Sequence, residues 1–263
     1  MGFLLRRNDK TLDEDYLFFN ELYHQNKNQY QIIYMNRSIF FYAVLFFIIS
    51  SCSSNEVGNA KDVNTESIYF EYKVWGEEGS DVTVMLQYRF AGKNGTTLVL
   101  EEPAKVELDG DSIRVDSSNM NGAYYEVIKP AKDFVGKHTI TFTSLENKQY
   151  KEDFDFKPIS LRTKIPSEAK RGDLVFDLDG LEPVDYVRVL LTDTSFESKD
   201  INWIDTVKNG RITISADDLK NVMNGPVHLE LIKELDKPIK NGTKEGGSFS
   251  FSYGLKRDFV LKE

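Results

Sequence analysis

The stretches Ile68-Tyr-Phe-Glu-Tyr-Lys-Val-Trp75 and Val82-Thr-Val-Met-Leu-Gln-Tyr-Arg-Phe90 decide the fold. In the first, Ile68, Phe70, Tyr72 and Val74 alternate with Tyr69, Glu71, Lys73 and Trp75. In the second, Val82, Val84, Leu86, Tyr88 and Phe90 alternate with Thr83, Met85, Gln87 and Arg89. Successive side chains of an extended backbone point to opposite faces, so this period of two predicts two half-buried strands.

The pattern continues downstream. Ala91-Gly-Lys-Asn-Gly95 reads as a turn into Thr97-Leu-Val-Leu-Glu101, and Val106–Leu108 and Ile113–Val115 read as a hairpin about the Asp109-Gly110 turn. Tyr124–Ile128, His138–Phe142 and Tyr150–Phe156 complete about seven strands, with turn signals at the spacing of a β-sandwich. The proline-bracketed Lys157–Pro166 marks a domain junction, so the first sandwich is placed at 67–158 and the second at 159–263. Strands are expected there at Leu174–Leu178, Tyr186–Leu191, Asn202–Val207, Ile212–Ile214, His228–Ile232, Phe249–Tyr253 and Phe259–Leu261. The single helical signal is Ser215–Gly225: Ser215 as cap, Asp218 at the third position, Leu219, Val222 and Met223 on one face, and Gly225-Pro226 as terminator.

Two partial matches link the halves. Tyr72-x-Val74-x-Gly76-x-Glu78-x-x-Asp81 is echoed by Phe176-x-Leu178-x-Gly180-x-Glu182-x-x-Asp185. Ala131-x-Asp133-Phe134 with Gly136 and His138 is echoed by Ala216-x-Asp218-Leu219 with Gly225 and His228. Their common order predicts an all-β chain of two tandem sandwich domains. The pattern resembles the cysteine-free immunoglobulin-like modules of bacteria, since neither half carries the cysteine pair of antibody domains.

Upstream, Ile39-Phe-Phe-Tyr-Ala-Val-Leu-Phe-Phe-Ile-Ile49 is an unbroken apolar run preceded by Arg37. At roughly 11 residues it is shorter than the ~20 of a membrane-spanning helix and within the range of a secretory signal. Ile49-Ser-Ser-Cys52 resembles the bacterial lipobox, which implies that Cys52, the only cysteine, is acylated and becomes the mature N-terminus. By the same resemblance Ser53 favours the outer membrane. Residues 35–51 are then the signal peptide and 1–34 an over-called start or an extension. Residues 52–66, small and polar, form a tether.

The net charge of −9 without a basic cluster excludes nucleic acid as a partner. No nucleophile elbow is present, and two isolated histidines, His138 and His228, make no zinc triad. No catalytic residue, metal or cofactor is therefore assigned. Asp109/Asp111 and Asp177/Asp179 read as turns, because neither pair continues as a twelve-residue calcium loop. Trp75, Tyr124, Tyr125 and Trp203, with Tyr69, are candidates for stacking on sugar rings. Asp111-Ser112-Ile113 and Asp205-Thr206-Val207 resemble the short O-glycosylation motif of Bacteroidota envelope proteins, and the expectation is a non-catalytic, lipid-anchored envelope protein similar to those, serving as a spacer or binding module. The alternatives are a glycan-binding accessory protein, a two-carboxylate glycosidase, or a subunit of an envelope fibre or secretion assembly.

Overall fold

The computed structural model describes residues 57–263 apart from 184, 195–198 and 208. The apolar run, Cys52, the segments 1–34 and 35–51 and the start of the tether lie outside the described residues. Eighteen strands follow in chain order: β1 (Val57–Asn59), β2 (Ile68–Glu77), β3 (Asp81–Phe90), β4 (Thr96–Val99), β5 (Lys105–Leu108), β6 (Asp111–Ser112), β7 (Val115–Ser118), β8 (Gly122–Pro130), β9 (Gly136–Thr143), β10 (Gln149–Phe156), β11 (Ser160–Leu161), β12 (Glu168–Lys170), β13 (Leu174–Asp179), β14 (Tyr186–Asp193), β15 (Ile201–Thr206), β16 (Arg211–Ile214), β17 (Gly225–Pro238) and β18 (Gly247–Lys262). The helical content of the described residues is confined to short 3-10 turns. The chain is all-β, as the alternation predicts.

Strand pairing defines two immunoglobulin-type sandwiches. In the first, β2, β3, β8 and β7 form one sheet and β10, β9, β5 and β6 the facing one. This is the ABED/GFC arrangement of a constant-type immunoglobulin domain, with β6 added to the second sheet and β4 and β1 added beside β3 in the first. In the second, β11, β13 and β16 face a sheet of β18, β17, β14 and β15, and β12 lies parallel to the end of β18. The two-residue turn Asp109-Gly110 closes β5 on β6, both residues at positive φ (54° and 91°) as a type I′ hairpin requires.

The sandwiches are fused side by side. Strand β2, first of the first sandwich, pairs in parallel with Gly247–Gly254 of β18, last of the second, so one eleven-stranded sheet runs through both. The length of β18 permits this: one edge accepts β2 along its first half and β12 at its end. The turn before β18 ties down the seam. Thr243 donates its hydroxyl to the Ile68 carbonyl (2.6 Å), and Lys244 N–H donates to Glu66 Oε2 (3.0 Å). Glu152, buried on β10, accepts from Lys237 Nζ (2.7 Å) and Lys240 N–H (3.0 Å).

One face of the large sheet carries Phe70, Tyr72, Val74, Leu86, Tyr88, Phe249, Phe251, Leu231 and Val189, all buried, and both smaller sheets pack against it. Phe142 meets Phe70 and Tyr88 (centroids 5.0 and 4.8 Å apart). Phe156 of β10 reaches across the seam to Phe251 and Tyr253 (5.7 and 5.8 Å). The core is therefore continuous from one sandwich into the other.

Several expectations are corrected. Residues 57–66, assigned to the tether, are folded: β1 pairs in parallel with β4, Ala60 is buried, and Asn59 and Asn64 cap two 3-10 turns. Their order comes from backbone pairing with a distant strand, which leaves no trace in local hydrophobicity. The helix over Ser215–Gly225 is a single 3-10 turn, Asp218–Asn221. Ser215 and Asp218 do exchange cap hydrogen bonds, but Val222 is already extended and Gly225-Pro226 opens β17 instead of ending a helix. Phe249–Tyr253 and Phe259–Leu261 belong to one strand. The first repeat match joins unlike parts, since β2 and β3 form a hairpin whereas β13 and β14 lie in opposite sheets. The second joins like parts, a 3-10 turn entering β9 or β17, yet His138 points inward onto Phe134 and His228 outward beside Glu230.

Candidate functional site

The fused sheet has a second face, turned away from the core. Its outward residues follow from register. Ile128 lies opposite Thr83, Thr83 opposite Trp75, Trp75 opposite Ser252, Ser252 opposite Glu234 and Glu234 opposite Tyr186. One row thus crosses six strands and both sandwiches. Ile128 is 56%, Trp75 37% and Tyr186 51% exposed. With strands about 4.8 Å apart, Trp75 stands about 10 Å from Ile128 and about 14 Å from Tyr186. Ile204, opposite Arg188, adds another exposed apolar side chain near the β15 edge.

Polar pairs hold the ground between these apolar residues. Arg188 donates to both oxygens of Glu234 (2.9 and 3.0 Å) and to Asn202 (3.1 Å). Glu71, on the same face beside Lys73, is buried beneath it and Arg89. Burial alone would push the Glu71 carboxyl up, but the hydrogen bonds from Lys73 and Arg89 outweigh it and hold the group below the usual carboxylate range. Ser248, Ser250, Ser252 and Gly254 give the middle of the face a low floor along β18.

The aromatic candidates divide between the two faces. Trp75 and Tyr124 point outward, and burial together with Asp116 and Glu126 pushes the Tyr124 phenol up. Tyr125 is a core residue: it packs on Tyr88 (5.8 Å) and its hydroxyl accepts from Leu100 N–H (2.7 Å). Trp203 lies opposite Val189 and packs half-buried on the core side of the sheet edge. Tyr125 and Trp203 are thus removed from any exposed stacking platform. Tyr186, Ile128 and Ile204 were missed, although each occupies an outward position of an alternating strand.

At the far end of the same face, a cavity of about 400 Å³ is lined by Thr192, Asp193, Pro226, His228, Asp258 and Val260, among others. His228 bridges two carboxylates, Nδ1 to Asp258 (2.7 Å) and Nε2 to Glu230 (3.0 Å). The Asp258 hydrogen bond above all raises its pKa. Both ring nitrogens are thereby engaged by carboxylates. His138 is engaged likewise, by Asp109 (2.7 Å) and the Phe134 carbonyl (2.8 Å). Asp177 pairs with Arg211 and Asp179 with Arg162. Among the described residues, no three histidine, cysteine or carboxylate ligands converge as a metal site would require.

No family model matches the sequence, and no characterised protein does. Solved structures similar to it include the first two immunoglobulin domains of DIP-gamma (11% identity, TM-score 0.21, covering 74% of this chain and 95% of that one). A bacterial ice-binding adhesin (10%, 0.22, covering 76% and 66%) and the adhesin InvE of Yersinia pseudotuberculosis (11%, 0.22, covering 76% and 60%) are others. The fold assignment rests on the strand pairing itself.

Proposed function

We propose that the chain is a non-catalytic, lipid-anchored binding module of the bacterial cell envelope, held in the outer membrane through Cys52. On this reading it presents the outer face of its fused sheet to a protein partner. The observation that carries the reading is the β2–β18 pairing. Two sandwiches strung end to end would extend reach, as a spacer needs, whereas two fused along a sheet edge gain breadth. The apolar side chains on that breadth stand apart among arginine, glutamate and serine, which suits a protein interface built from a few aromatic anchors in polar surroundings. The lipobox-like Ile49–Cys52 supports the anchor.

Photo-cross-linking in the native host tests the binding face, with a benzophenone amino acid at position 75, 186 or, as control, 151 on the opposite sheet. One defined protein adduct from positions 75 and 186 but not 151 is expected; equal or absent adducts refute the assignment. Membrane fractionation and intact mass of the native chain beside Cys52→Ala test the anchor. Glycan binding is the second reading, favoured by Trp75 and Tyr124 sharing the outer face, and oligosaccharide binding abolished by Trp75→Ala would put it first.

A further inference from the structure

The folded part begins close to Cys52. In the sequence, Val57 of β1 follows Cys52 so soon that even a fully extended chain covers the span in at most about 18 Å. Residues 57–66 add nothing to that reach, because they are folded onto the sheet. Strand β1 runs parallel to β4, so the chain enters the fold at the end where β4 begins and β3 finishes.

Three exposed apolar side chains gather at this end around Thr96 and Thr97. Val57 lies opposite Thr97 and Phe90 opposite Thr96. Met120, 85% exposed, sits in the turn into β8, whose Ala123 N–H donates to Thr97 Oγ1 (2.9 Å). Phe90 keeps the parity of the buried Val84, Leu86 and Tyr88 but is exposed where the strand stops. Thr96 and Thr97 are consecutive, so Phe90 and Val57 fall on opposite faces, and only an approach onto the end of the sheet meets both. Exposed Lys93, Lys240 and Lys244 share this end with Glu66, Glu146 and Glu245, so charge of neither sign dominates.

We propose that this end of the first sandwich rests on a lipid bilayer, with Val57, Phe90 and Met120 set at the boundary of headgroups and acyl chains. The proposal rests on the acyl anchor at Cys52 argued above and adds the orientation of the fold. An acyl anchor and an apolar contact are two signals that reinforce each other at one surface. Laying the outer face flat on the bilayer would instead press the Arg188–Glu234 and Lys256–Glu77 pairs against lipid, at a cost in desolvation, and would leave Phe90 on the wrong side.

The native chain, purified from its host's membranes and reconstituted in phosphatidylcholine vesicles, provides the test. Cys52 is the only cysteine and acylation consumes its thiol, so one introduced cysteine takes a fluorophore alone. Lys93→Cys reports the proposed contact and Tyr186→Cys the outer face. Val135→Cys, beyond the other end of β8 and about 27 Å away, reports the opposite end. Lipids spin-labelled at the headgroup are expected to quench the fluorophore at 93 and to leave those at 135 and 186 unquenched. Val57→Asp combined with Met120→Asp, both at exposed positions, is expected to lose most of the quenching at 93. On an acylated chain, no quenching at 93, equal quenching at 135 or 186, or quenching undiminished in the double variant overturns the orientation and leaves the anchor standing. An intact mass without acyl groups on Cys52 overturns both.

Discussion

Phe156→Ala tests whether the two sandwiches are one thermodynamic body. Phe156 is fully buried on β10 of the first sandwich and packs on Phe134 of its own half (5.3 Å) and on Phe251 and Tyr253 of the other. Truncating a buried phenylalanine costs about 3–5 kcal/mol. The upper half of that range is expected, since three ring contacts, two of them across the seam, are lost together. With a urea slope of about 3 kcal/mol/M, the midpoint falls by about 1.3–1.7 M. The chain has two tryptophans, Trp75 on β2 and Trp203 on β15, one in each half. Trp203→Phe therefore leaves a reporter of the first sandwich and Trp75→Phe one of the second. The two unfolding curves are expected to coincide before the Phe156→Ala change and to move together after it. A midpoint that falls for the Trp75 reporter and stays for the Trp203 reporter would show that the halves unfold separately and that the seam is weak.

Other outcomes follow from the same contacts. Lys237→Met leaves the buried Glu152 carboxylate without its cation and is expected to cost about 2–4 kcal/mol, below a fully buried pair because Lys237 keeps partial contact with water; adding Glu152→Leu should restore most of it in thermal unfolding. Gly247→Ala would set a Cβ 2.4 Å from the Phe70 carbonyl oxygen across the seam, and a loss of about 1–3 kcal/mol is expected by chemical denaturation. His228, its pKa raised above 6.5 by Asp258 first and Glu230 second, contributes stability that is fully present below that ordinary value and lost as pH rises through the raised one. Asp258→Asn should bring the imidazole titration in NMR down toward 6.5, and an unmoved titration would remove Asp258 as the cause.

The strands were largely legible because burial on one face imposes a period of two: β10 shows it residue by residue and β14 over Tyr186–Leu191, while β2 and β3 depart from it at Glu71 and Gln87, polar residues buried on the outer face, and at the exposed Phe90. The Asp109-Gly110 turn was legible for a similar reason, as few residue pairs adopt two positive φ angles at low cost. The helix over Ser215–Gly225 was misread because its cap is real while its length depends on where β17 must begin. Among the aromatics, Trp75 and Tyr124 were placed on an exposed face, but Tyr125 and Trp203 belong to the core side. Neighbouring positions such as Tyr124 and Tyr125 are equally aromatic, and only the register against Gln87 and Leu86 tells which of them meets water.

The sequence by itself determined the strand-built character of the chain, its seven-strand rhythm in the first half and the apolar run before Cys52, because these are local consequences of side-chain alternation and length. Tertiary structure alone decided that β2 should complete the edge of β18, that residues 57–66 should fold back on the sheet, and that Ile128, Trp75 and Tyr186 should fall in one row. Backbone hydrogen bonds between strands carry no residue code, so which edges meet is settled by the shape and burial of the whole core.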